Sequence, residues 1–163
     1  MLKLSITLSL LLCIVAINAQ TTPNTCNYSF SYLDFNLGPF TNQSYGIGLS
    51  ESESIYLSVC GPNPYCTEML GYDVSFCSDS ESGVVDLGVP STGVFSRYGK
   101  SIGKPGIILT TQSKGLCSGN TPYTSKTIMQ CKQGAASTIY RGEFTSECEV
   151  SVYLYGNAAC PGQ

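Results

Sequence analysis

Nine cysteines and eleven tyrosines stand out in a chain of 163 residues that has no histidine and no tryptophan. Without histidine there is no Ser-His-Asp triad, no Cys-His pair and no zinc site that uses an imidazole. No two cysteines stand in a CxxC spacing, and Cys60 and Cys66 are the nearest two, so a thiolate metal site is a poor reading. Asp73, Asp79, Asp86, Glu143, Glu147 and Glu149 could supply two carboxyls for glycoside hydrolysis. Nothing in their spacing fixes a pair, so no catalytic residue is assigned and no cofactor or metal is implied. The Ser-Glu-Ser-Glu-Ser run, Ser50–Ser54, could take calcium or phosphate and reads more simply as a solvated turn. Charged residues are 12% of the chain, about half the usual ~25%. A formal net charge of -3 at pH 7 argues against nucleic acid and against an anionic membrane surface, because both attract basic patches.

The cysteines must first be placed in a compartment. Residues 1–19 read MLKLSITLSLLLCIVAINA, with Lys3 ahead of an apolar run and Ala19 at its end. This is the layout of a secretory signal peptide cleaved after Ala19. The run is short for a bilayer span, which takes roughly 20 residues. No later stretch is long and apolar enough to span, so the mature chain, 20–163, is expected to be secreted or lumenal. The chain ends Cys160-Pro161-Gly162-Gln163, without a retrieval signal of the KDEL type. Cleavage removes Cys13, and nine less one leaves eight: Cys26, Cys60, Cys66, Cys77, Cys117, Cys131, Cys148 and Cys160. An even number in an oxidising compartment implies four disulfides with no thiol left over. Eight cysteines allow on the order of a hundred pairings, so the count alone does not choose among them. Asn27-Tyr28-Ser29 and Asn42-Gln43-Ser44 are N-glycosylation sequons.

The elements that would carry these residues are strands. Short β-like runs fall at Tyr28–Phe35, Tyr45–Leu49, Ser54–Val59, Tyr72–Phe76, Val84–Leu87, Val94–Arg97, Ile107–Thr111, Ser125–Gln130, Thr138–Phe144 and Glu149–Tyr155. Several alternate: Val150, Val152 and Leu154 on one face, Glu149, Ser151, Tyr153 and Tyr155 on the other. Exposed tyrosine suits sugar stacking or protein contact, since the ring is flat and its hydroxyl stays wet. The plainer expectation is that Tyr153 and Tyr155 cover the sheet. Gly61-Pro62-Asn63-Pro64, Gly88-Val89-Pro90, Gly103-Lys104-Pro105-Gly106 and Gly119-Asn120 oppose long helices. The sequence therefore predicts one all-β domain, a flattened barrel or sandwich of about nine or ten short antiparallel strands stapled by disulfides.

The last third holds the most specific pattern. It runs Cys117, then Ser125-Lys126-Thr127-Ile128-Met129-Gln130-Cys131, then Cys148 to Ala159-Cys160 through an alternating aromatic and aliphatic strand. This resembles the mannose 6-phosphate receptor homology (MRH) domain, a lectin-like β module of lysosomal sorting receptors and of several endoplasmic reticulum proteins. Cys26, Val59-Cys60, Cys66, Cys77 and Val85-Asp86-Leu87-Gly88 extend the resemblance over 26–161. It implies the pairs Cys26–Cys60, Cys66–Cys77, Cys117–Cys148 and Cys131–Cys160. The family's sugar site uses a Gln, an Arg, a Glu and a Tyr. The Gln position is Ser78 here. The Arg position is Tyr123, with Lys126 the nearest cation, and Lys lacks the planar fork that holds two acceptors. The Tyr position is Val150. The Glu position is Thr145, flanked by Glu143 and Glu147, either of which a small loop shift could bring in. Ser113-Lys114 replaces the paired glycines before the fifth cysteine of the mature chain, although Gly115 follows.

The resemblance thus implies a non-enzymatic, lectin-like module for a glycan or glycoprotein partner, with Glu143, Lys126, Ser78 and Tyr123 as the remaining candidates for ligand contact. It also implies a degenerate mannose 6-phosphate site, because each desolvated sugar hydroxyl left unpaired costs about 1–3 kcal/mol. The alternative is a small extracellular structural or signalling protein that acts by protein contact with no sugar site. Secretion is checked at the amino terminus: the exported protein is expected to begin at Gln20, and a product that still carries Met1–Ala19 would remove the signal-peptide reading.

Overall fold

The computed structural model describes residues 26–30, 33–41, 43–99 and 105–162. Among them run eleven strands: β1 Asn27–Phe30, β2 Leu33–Asn36, β3 Tyr45–Gly48, β4 Glu53–Leu57, β5 Phe76–Ser80, β6 Gly83–Gly88, β7 Val94–Tyr98, β8 Gly106–Ser118, β9 Thr121–Cys131, β10 Thr138–Ser146 and β11 Glu149–Gly156. They form a hairpin β1-β2, a four-stranded sheet β3-β4-β5-β6 and a five-stranded sheet β10-β11-β9-β8-β7. The two larger sheets face each other as a sandwich, with β6 lying on β8 and β9, and β3 on β10. Ile55, Leu57, Phe76 and Leu87 meet Ile107, Met129, Val150, Val152 and Leu154 in the shared core, and Phe35, Leu37 and Phe40 close its side. The alternation in Glu149–Tyr155 therefore has its physical cause in one buried and one wet face.

Four disulfides join Cys26 to Cys60, Cys66 to Cys77, Cys117 to Cys148 and Cys131 to Cys160. These are the pairs that the resemblance implies.

The expected all-antiparallel pairing is corrected at one place, where β9 and β11 run parallel. The connection after β9 carries the chain to the sheet edge as β10, and β11 returns between the two. The composition explains this order. Val150, Val152 and Leu154 are 0–1% exposed and need neighbours on both sides, whereas β10 is largely exposed and tolerates an edge.

Three local expectations also change. Tyr28–Phe35 is a hairpin of β1 and β2, with Tyr28 opposite Phe35. Tyr72–Ser75 precedes β5 as a connection. It follows a short helix, α1 Pro64–Leu70, whose proline takes a first-turn position where no N–H is needed. Asn63 caps that helix by accepting the Cys66 N–H at 3.2 Å, and Gly71 ends it at φ 75°. Finally, β8 and β9 extend well beyond Ile107–Thr111 and Ser125–Gln130. Their outer ends are polar and glycine-bearing, so no pattern marks them. They are held by their mutual pairing and by the Cys117–Cys148 bond.

Leu154 sits at the centre of this arrangement with 0% exposure. Leu154→Ala is expected to lower unfolding stability by about 2–5 kcal/mol, read by urea unfolding with all disulfides intact. A loss under about 1 kcal/mol would mean that β11 is not the core strand described.

Candidate functional site

The candidate ligand residues separate onto two faces. Ser78 lies on β5 opposite Ile55 and Val85, is 6% exposed and faces inward. Tyr123, near the start of β9, is half-buried and packs on the core, and its backbone N–H donates to Ser113 Oγ at 2.9 Å. Val150 is 1% exposed, with Phe144 as its partner on β10. Close by, Thr111 Oγ1 and Ser125 Oγ share a buried hydrogen bond of 2.6 Å. Gly88 lies directly on them: a Cβ there would stand 2.1 Å from Thr111 Oγ1. A side chain at 88 would fit only if Thr111 and Ser125 moved away. Beside it, Asp86 accepts from the Tyr72 hydroxyl, the Gly88 N–H and the Lys114 N–H at 2.8–2.9 Å. The inner end of the sandwich is thus filled and internally hydrogen-bonded.

Lys126 and Glu143 lie on the opposite, outer face of the five-stranded sheet. They share one row, Lys126–Ser151–Glu143 across β9, β11 and β10. Each is engaged by its own neighbour. Lys126 Nζ meets Glu149 Oε2 at 2.6 Å, and the Thr145 hydroxyl donates to Glu149 Oε1 at 2.7 Å. These contacts, the lysine first, hold the Glu149 carboxyl below the usual glutamate range. Glu143 accepts from the Arg141 guanidinium on one oxygen and from the Tyr153 hydroxyl, at 3.1 Å, on the other. Glu147 is exposed on the β10–β11 turn. The structure therefore does not bring Ser78, Tyr123, Lys126 and Glu143 to one site.

The outer face instead gathers residues that the sequence left scattered. Tyr140 stands 6.0 Å from Tyr153 and 5.6 Å from Tyr155 between ring centres. Arg141 lies 5.4 Å from the Tyr153 ring centre and Lys132 Nζ 4.2 Å from that of Tyr155. The Gln130 amide donates to the Tyr98 hydroxyl at 3.3 Å. Gly106 allows that contact, since a Cβ there would fall 3.1 Å from the Tyr98 ring and 2.5 Å from the Met129 carbonyl. Burial, ahead of other causes, raises the Tyr140 and Tyr153 hydroxyls above their ordinary value, so both remain protonated donors. Ile128, in register with Tyr153 and Ile108, is only 7% exposed, while Tyr140 is 46% exposed. Sequence alternation reached Tyr153 and Tyr155. Tyr98, Gln130, Lys132, Tyr140 and Arg141 join them through long-range register, which leaves no local signal.

No family model matches the chain, and no curated protein matches it. Among solved structures, domain 11 of chicken IGF2R, an MRH domain, superposes with a TM-score of 0.62 at 19% identity, over 86% of this chain and 94% of that one. The fold is MRH-like. The MRH domain of Yos9 complexed with alpha3,alpha6-Man5 gives a TM-score of 0.49 at 16% identity, over 76% and 80%. At these identities the likeness is one of fold. Of Ser78, Tyr123, Thr145 and Val150, Ser78 and Val150 are buried. Among the described residues no group of three or more Cys, Asp or Glu could hold a metal ion, and no helix is long and apolar enough to cross a membrane. Asn27 is exposed on β1, while Asn42 and the leader 1–19 fall outside the described residues.

The Glu149 contacts give a pH signature. The folded chain holds this carboxyl ionised more strongly than the unfolded chain does. Its contribution is present above the ordinary glutamate range and is lost as pH falls through the lowered value. Glu149→Gln is expected to flatten this acid limb of the stability profile and to cost at most about 1 kcal/mol at neutral pH, since the pair is partly exposed. An acid limb unchanged in the variant would show that the Lys126–Glu149 pair does not form in solution.

Proposed function

We propose that residues 20–163, after removal of the leader, form a secreted or endolysosomal-lumenal lectin-like module that recognises a glycan or glycoprotein partner. Recognition runs through the outer face of β10, β11 and β9, and the family's mannose 6-phosphate site is degenerate. The tyrosine face carries this reading: Tyr98, Tyr140, Tyr153 and Tyr155 offer rings and hydroxyls beside the Arg141–Glu143 pair and Gln130. Ring faces take the C–H side of a pyranose, and the flanking amide, guanidinium and carboxylate address its hydroxyls. Buried Val150 and Ser78 support the loss of the family's site, because neither leaves a long polar group in the place of the Tyr or the Gln. Four disulfides and an MRH-like fold fit a secreted or lumenal compartment. The protein acts by binding and is not an enzyme.

One observation favours the alternative of protein contact without a sugar site. Tyrosine and arginine are the residues that interfaces enrich, and here Arg141 lies against Tyr153. A glycan array with disulfide-intact protein separates the two. The expected result is specific signal that free mannose 6-phosphate does not compete, and that weakens about tenfold in Tyr140→Ala, the loss of roughly one ring contact. Competition by mannose 6-phosphate would overturn the degenerate-site reading. A blank array would select the protein-contact alternative.

A further inference from the structure

A shallow cleft of about 490 Å³ opens where the β1-β2 hairpin meets the β9–β10 connection. Asn36, Gln43 and Ser137 give it polar walls, and Pro39, Ala136 and Ala158 give it an apolar lining. No charged side chain lines it. The Asn36 Oδ1 accepts the Gly38 N–H at 3.0 Å, and the Gln43 Oε1 accepts the Tyr45 hydroxyl. Each oxygen thus has one partner already, and each carboxamide also carries two N–H donors. Uncharged donors beside small methyl groups match an N-acetylated sugar, which carries hydroxyl and acetamide acceptors and one apolar methyl.

A source of such a sugar stands next to the cleft. Asn27 is exposed, heads the sequon Asn27-Tyr28-Ser29, and is the register partner of Asn36. Directly opposed residues of an antiparallel pair share a face, with Cβ atoms about 5 Å apart. Tyr28 and Phe35, the next pair, turn inward to the core, which leaves Asn27 and Asn36 on the outward side. A sugar joined to the Asn27 side-chain nitrogen would therefore begin beside Asn36, at the cleft's edge.

We propose that Asn27 carries an N-linked glycan whose first N-acetylglucosamine seats in this cleft, against Asn36, Gln43 and Ala136. The seated sugar braces the β1-β2 hairpin against the loop that Cys131–Cys160 anchors. The inference requires passage through the secretory route and needs nothing from glycan recognition by the tyrosine face.

The test uses the full chain exported by a glycosylating host. Glycopeptide mass spectrometry is expected to find Asn27 occupied. Nuclear Overhauser contacts are expected between the acetamide methyl of the first sugar and the Ala136 and Ala158 methyls in the unaltered protein. Ala136→Trp fills the cleft, and an amidase should then release the native-state glycan about five-fold faster, the factor that one net hydrogen bond gives. Non-reduced peptide mapping confirms that the variant keeps its four disulfides. Should the variant fail to fold, the Overhauser contacts alone decide. An unmodified Asn27 overturns the proposal. So does an occupied Asn27 without those contacts, or release at equal rates from the two proteins.

Discussion

The parallel ladder between β9 and β11, closed by a disulfide at each end, is the constraint on which the rest depends. Thr124 pairs with Glu149 at one end, where the Thr124 N–H donates to the Cys148 carbonyl at 2.8 Å. Cys148 is bonded there to Cys117 at the end of β8. At the other end Cys131 pairs with Gly156, and the chain turns through Asn157–Ala159 to reach Cys160, which bonds back to Cys131. A parallel pair cannot be closed by a tight hairpin, and its partners meet only after a long excursion. The loops closed by these two bonds span 31 and 29 residues. In the chain-entropy account each such closure contributes about 3–4 kcal/mol by restricting the unfolded chain. With both ends fixed, β11 cannot slip by one residue, a shift that would turn Val150, Val152 and Leu154 to solvent.

That fixed register makes one strand serve two surfaces. Its inward residues complete the core against Ile107, Met129 and Leu57, and its outward residues supply Glu149, Tyr153 and Tyr155. Among the described residues, the outer face also holds both ion pairs. Lys126 meets Glu149, Arg141 meets Glu143, and Lys132 rests on a tyrosine ring. Exposed pairs of this kind stabilise little. Their effect is to hold the side chains in set positions around the rings.

The fold was largely legible in the sequence, and the candidate site largely was not. Period-two alternation in Glu149–Tyr155 and Ser54–Val59 marks the core strands because burial on one face forces it. Gly and Pro mark most turns because the backbone geometry there admits few other residues. The outer ends of β8 and β9 escape because Gln112, Ser113, Lys114 and Gly115 carry no pattern, and cross-strand pairing alone holds them. The short helix α1 escapes because Pro62 and Pro64 read as a turn, although Pro64 suits a first helical turn. The parallel pairing escapes for a different reason: strand order is decided by which strands most need two buried neighbours. Lys126 and Glu143 are near one another in the fold by register, yet each finds a partner that no sequence spacing specified.

The two faces of the sheet differ in how freely they can change. At the inner end, Gly88 sits on Thr111 and Ser125 with no room for a Cβ, and Val150 is enclosed. A Tyr at 150 would overfill a packed interior, and overpacking costs about 1–3 kcal/mol. A Gln at 78 would bring a buried amide that needs new partners. A set of long polar side chains at that end therefore requires several coordinated changes. On the outer face, Ile128 and Ser151 are enclosed, but Tyr140 and Arg141 are exposed and can be exchanged without disturbing the core. Substitution at Tyr140 or Arg141 therefore disturbs the core less than substitution at Val150 or Gly88.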